Sequence, residues 1–151
     1  MMRRYTIRTG MAVLAAALLF GLTACFGGPS ASDKEARLAS ALESAGVGVV
    51  GAKVVTTPSS AGGLTVTVKL APEALDTTGR DVTAETLTRI LAVSAENASD
   101  MRVTSLYLYA DDEAGRDVSL RDAATELGLE KSIEGDSLTL VAEEWKLYAG
   151  K

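Results

Sequence analysis

From Leu64 to Leu70 the chain alternates apolar and polar residues without a break, Leu-Thr-Val-Thr-Val-Lys-Leu. Successive side chains of a strand take opposite faces, so this pattern predicts a half-buried strand. The valine-rich stretch 47–57 predicts another strand, and Pro58-Ser59-Ser60-Ala61-Gly62-Gly63 reads as the turn joining the two in a hairpin. Ahead of them Leu38, Ala41, Leu42 and Ala45 fall at helical spacing, ended by Gly46 and Gly48. Ser32 and Glu35 have the spacing of a capping box at the start of that helix.

After a loop over 71–81, Thr83 is placed to cap a second helix, with Val82 and Leu87 as its hydrophobic staple. Leu87, Ile90, Leu91, Ser94, Ala95 and Ala98 form its apolar stripe. A third strand is expected over 101–110 and a polar turn over 111–118. Ser119 and Asp122 then open a third helix carrying Leu120, Ala123, Ala124 and Leu127, and Gly128 stops it. A turn at Glu134-Gly135-Asp136, a short extended piece over 137–140 and a helical segment over 142–149 complete the chain. The predicted order is α-β-β-α-β-α-β-α. The expectation is an α+β fold, a small mainly antiparallel sheet of three or four strands with helices packed on one face.

The start of the chain breaks this pattern. Residues 1–10 carry Arg3, Arg4 and Arg8 and no acid, and residues 11–24 are almost wholly apolar. Fourteen helical residues rise about 21 Å, short of a hydrocarbon core of about 30 Å, so the run reads as a signal sequence rather than a span. It ends in Leu22-Thr23-Ala24-Cys25, a branched apolar residue and two small ones before a cysteine. This resembles the lipobox of bacterial lipoproteins. The resemblance implies lipid joined to the Cys25 sulfur, with palmitate among the acyl groups expected, and cleavage by signal peptidase II after Ala24. Leu22, Thr23 and Ala24 would be its recognition residues. Arg3-Arg4 faintly resembles a twin-arginine signal, but Thr6 stands where a large apolar residue is expected, so Sec export is the better expectation.

The expected organisation is a signal peptide over 1–24, lipidated Cys25 with a flexible tether to 32, and one globular domain over 33–151. Further along, Ala124 to Leu129, the run Gly135-Asp136-Ser137-Leu138-Thr139-Leu140 and Tyr148 near the end resemble small envelope lipoproteins of actinobacteria of unknown function. The implied location is the cell membrane, lipid-anchored on its extracytoplasmic side.

Charge and composition narrow the chemistry. All 20 acidic residues follow position 24, against 12 basic ones there, so the exported part is acidic. Such a surface repels phosphate backbones and anionic headgroups, which argues against nucleic acid and leaves lipid on Cys25 as the expected membrane contact. With no histidine and one cysteine, Ser-His-Asp triads, Cys/His zinc sites and an intramolecular disulfide are excluded. No serine precedes a lysine at Ser-x-x-Lys spacing.

Carboxylates are the remaining resource. Asp111, Asp112, Glu113 and Asp117 form the densest cluster, but Gly115 and Arg116 break calcium-loop spacing, so a solvated turn is expected. Glu143 and Glu144 are adjacent on a helix and point apart, and Glu73 and Asp76 flank a loop. Neither pair has the form of two acids facing across a cleft. Trp145 reads as a core plug. The sequence therefore favours a non-catalytic contact domain, without cofactor or metal, whose partner is an envelope protein or a cell-wall component. An enzyme acting through carboxylates on an envelope glycan, and a small-ligand carrier, are the alternatives. The candidate contact surface lies on the third strand. Leu106, Leu108 and Ala110 alternate with Ser105, Tyr107 and Tyr109, which puts Tyr107 and Tyr109 on the open side of the sheet beside Thr65 and Thr67.

Overall fold

The computed structural model describes residues 28–58 and 62–151. The fold is α+β, with a five-stranded mixed sheet and four helices. Helix α1 (Ala31–Glu43) leads into the hairpin of β1 (Val49–Thr57) and β2 (Gly63–Leu70). Helix α2 (Ala84–Asn97) crosses to β3 (Ser105–Asp112), which lies parallel to β2. Helix α3 (Arg121–Glu126) is followed by β4 (Ile133–Glu134), β5 (Ser137–Val141) and α4 (Ala142–Trp145). The strands lie in the order β1-β2-β3-β5-β4.

Three of the four strand pairings are antiparallel, and the β2–β3 pair is parallel. The sheet thus has one strand more than the upper expectation and is mixed. The extra strand is β4, whose two residues hydrogen-bond across the Gly135-Asp136 turn. Two residues are too few to show a period. The parallel pair follows from the chain path, because a helix placed between neighbouring strands returns the chain to the end it left.

The core lies between the sheet and the helices. Leu64, Val66, Val68 and Leu70 of β2 and Leu106, Leu108 and Ala110 of β3 are buried, as are Leu138 and Leu140 of β5. They meet Leu38 and Leu42 of α1 and the full α2 stripe, Leu87, Ile90, Leu91, Ser94, Ala95 and Ala98. Each fully buried leucine contributes about 1.5–3 kcal/mol relative to an exposed one, so the stripes are sufficient reason for the layers to close. Trp145 of α4 is completely buried at the end of this core.

Local signals explain most element ends. The Thr83 hydroxyl accepts the Thr86 N–H, and Val82 and Leu87 on either side are buried. α1 starts earlier than expected. Its cap is Ser30, whose hydroxyl accepts the Asp33 N–H at 3.1 Å while the Asp33 carboxylate accepts the Ser30 N–H at 2.9 Å. Residues 30–32 therefore belong to the helix and its cap rather than to a tether, and Glu35 is left free of capping.

Two other boundaries move. β3 begins at Ser105 and runs through Asp112, so Asp111 and Asp112 are strand residues rather than turn. Met101 and Val103 are buried without being extended ladder members, which is why their apolar character misleads. α3 begins at Arg121 after Leu120, and the Ser119 hydroxyl accepts the Arg121 N–H instead of the N–H three residues on. The final segment is the single turn of α4 followed by a 3-10 turn over Lys146–Tyr148.

The two edges of the sheet differ. β4 offers two residues, too short to recruit another strand. β1 offers nine, and α1 lies along it. The Ala52 N–H donates to Glu43 Oε1 at 3.0 Å, and the Thr56 N–H donates to Glu35 Oε1 at 2.7 Å. The Thr56 hydroxyl donates to the same Glu35 oxygen. These bonds hold the Glu35 carboxyl below its ordinary titration range, the hydroxyl acting first and the backbone N–H second.

Candidate functional site

The strand register builds the open face in rows. Val55, Thr65, Tyr107 and Thr139 stand side by side across β1, β2, β3 and β5. On one side of that row lie Thr57, Gly63, Ser105 and Val141, and on the other Lys53, Thr67 and Tyr109. The next row brings Lys69 against Asp111, an opposite-charge pair that closes this end. Among the described residues, no helix covers these rows. Val55 is 41% exposed, Tyr107 36%, Tyr109 45% and Val141 48%.

Tyr107 does not stand upright. Its Cε2 is 3.1 Å from where a Cβ on Gly63 would sit, so the ring leans across the bare backbone of β2. A glycine in mid-sheet loses packing, and a cross-strand aromatic restores it. Beside Tyr109 a shallow hollow of about 300 Å³ is bordered by Asp117, Asp136 and Ser137. The result is a broad surface of tyrosine, threonine and valine, with Lys53 and the Lys69–Asp111 pair towards one end and Asp117 and Asp136 at its rim. Enrichment of tyrosine is part of the composition of a contact surface.

The carboxylates are arranged differently. Glu113, Asp76 and Asp112 line a hollow of about 580 Å³ between the 72–79 loop and the 112–116 turn. Asp76 accepts the Thr78 hydroxyl at 2.8 and 2.9 Å and the N–H groups of Arg80 and Asp81. The Thr78 hydroxyl first, and the backbone donors with it, lower its pKa to about 2. Asp112 closes its own turn. It accepts the Arg116 N–H at 2.9 Å and the Arg116 guanidinium at 2.6 Å. Those bonds, the backbone one foremost, also hold its pKa low. A general acid needs a raised pKa, and these two groups are shifted the other way.

Among the described residues, no three acidic, histidine or cysteine side chains converge to hold a metal. In the sequence cluster Asp111 lies on the open side opposite Lys69, whereas Asp112 is buried and tied to Arg116. Glu143 and Glu144 do diverge. Glu144 accepts the Val141 N–H at 3.1 Å and the Ser132 hydroxyl at 3.3 Å, capping α4, and Glu143 is exposed. Glu73 sits in the 3-10 turn Pro72–Ala74, exposed and outside the Asp76 network.

Tyr107 and Tyr109 thus share one exposed face with Thr65 and Thr67. Cys25 and its neighbours Leu22, Thr23 and Ala24 lie outside the described residues. Sequence reasoning missed Val55 and Val141 as members of the open face. The spacing of Val141 from Leu140 was the available signal, obscured because β5 ends there. It also missed Glu35 and Glu43 on the β1 edge. Among the described residues, no helix is long and apolar enough to cross a membrane. Comparison with protein-family models, with curated proteins and with solved structures gave no significant match.

Proposed function

We propose that this protein is a lipid-anchored lipoprotein of the cell envelope whose domain acts by contact rather than catalysis. Lipid on Cys25 holds it to the extracytoplasmic side of the membrane, and the open sheet face engages another envelope protein. The observation that carries the contact reading is the open face itself, four exposed apolar or aromatic residues set among threonines. The hydrogen bonds that hold Asp76 and Asp112 ionised in the neighbouring hollow favour this reading over general-acid catalysis by those two carboxylates. The lipobox Leu22-Thr23-Ala24-Cys25 behind an apolar run supports the anchor.

Substituting Tyr107→Ser together with Tyr109→Ser in the lipidated protein, followed by cross-linking in cells, tests the surface. Both side chains are over one-third exposed, so the melting transition is expected to persist. Loss of a cross-linked partner with that transition intact supports the proposal. A full set of retained partners contradicts it. A tyrosine that serves as a hot spot carries about 2 kcal/mol or more, enough to weaken binding roughly tenfold or more.

A further inference from the structure

The β1 edge carries a fitted cover. Along an α-helix the eight steps from Glu35 to Glu43 rise about 12 Å, and along a strand the four steps from Ala52 to Thr56 span about 13 Å. The two glutamates therefore match two outward amides in register, Glu35 on Thr56 and Glu43 on Ala52, with α1 running opposite to β1. On the helix wheel Ala39 lies midway between them, about 40° from each. It is small and partly buried against the core, which lets the helix come close. Strand alternation turns the Val54 N–H outward as well, opposite Ala39, which has no acceptor to give it.

We propose that α1 masks β1 as an interaction surface, and that β1 without Glu35 and Glu43 pairs antiparallel with β1 of a second copy of this chain. Several features select that occupant. A two-fold axis at Val54 sets Val54 against Val54 and Ala52 against Thr56, so every outward donor meets an acceptor. Lys53, the one charged residue of the strand, then faces Val55 of the other copy and meets no like charge. The opposite edge of each sheet is the two-residue β4, so pairing closes at a dimer instead of growing into a fibre. With the glutamates in place, an approaching copy brings two further carboxylates against the same edge.

The test uses the full chain in mild detergent. In the unmodified protein, amide hydrogen exchange at Ala52 and Thr56 should be about tenfold or more slower than at Val54. Glu35→Ala with Glu43→Ala should sediment as a dimer while keeping a cooperative melting transition. Glu35→Gln with Glu43→Gln, which retains an acceptor oxygen at each site, should remain monomeric. Adding Ala52→Pro to the alanine pair removes an outward donor without touching the β1–β2 ladder and should restore the monomer. Equal exchange at the three amides overturns the proposal, and if the alanine pair does not fold, Glu35→Ser with Glu43→Ser, too short to reach the amides, is sedimented in its place and judged by the same outcomes. A folded alanine pair that stays monomeric, or a dimer that survives Ala52→Pro, overturns it too.

Discussion

Ser94 sits in the apolar stripe of α2, fully buried, and its hydroxyl has no hydrogen-bond partner among the described residues. Leaving a buried hydroxyl unmet costs about 1–3 kcal/mol, since its bonds to water are given up without replacement. Alanine removes that cost and favours the helix interior by a further ~0.5 kcal/mol. Against this stands the loss of one oxygen's packing, a few tenths of a kcal/mol. Ser94→Ala should therefore stabilise the domain by about 1–2 kcal/mol. For a domain of this size that raises Tm by about 4–8 °C. Ser94→Gly makes the same deletion but forfeits about 1 kcal/mol of helix propensity, so it should come out near neutral. Thermal unfolding of residues 28–151 followed by circular dichroism measures both. A Ser94→Ala protein that melts lower than the parent would mean the hydroxyl has a partner and is not an unmet buried group.

Other positions give sharper tests of single contacts. Gly46 and Gly48 both have φ of 75°, but a Cβ on Gly48 would lie 2.9 Å from Ala74 Cβ and 3.2 Å from Ala74 N, whereas one on Gly46 meets nothing within 4 Å. Gly46→Ala should cost about 1 kcal/mol for the left-handed backbone, and Gly48→Ala about 2–4 kcal/mol because packing is forced apart as well. Equal losses in denaturant unfolding would contradict the Ala74 contact. Thr78→Val should return Asp76 from about 2 towards the ordinary aspartate range, measured by carboxyl NMR titration against pH. The folded pKa of Asp76 is depressed, so its stabilisation is present above the ordinary value and is lost as the pH falls towards 2. The Thr78→Val protein keeps the backbone donors and should show a smaller loss from Asp76, and an unmoved titration would remove Thr78 as the main cause.

Much of this fold is legible in the sequence where one face is dry and the other wet. β2 and the α2 stripe show their period because every inward residue from Leu64 to Leu70, and from Leu87 to Ala98, is apolar or small. Tyr107 and Tyr109 follow from the same alternation. Legibility ends where polar groups are satisfied at a distance. Asp112 can occupy a buried strand position because Arg116 binds it from the following turn, and acidity alone made it read as loop. Glu35 has the spacing of a capping acid, yet Ser30 and Asp33 take that role and Glu35 turns to a strand twenty-one residues on. The sequence holds no local mark of that choice, since it depends on where β1 lies beside α1. The parallel β2–β3 pairing is likewise a property of the chain path rather than of any residue.

The lipid anchor is read most directly from the state of the N-terminus in cells. Intact-mass spectrometry of the protein taken from the membrane fraction reads it in one step. The expected species is a chain that begins at Cys25 and carries a diacylglyceryl group, with the Cys25→Ala protein missing from that fraction in mature form. A membrane-bound chain that begins elsewhere, or one whose Cys25 thiol is unmodified, would contradict it.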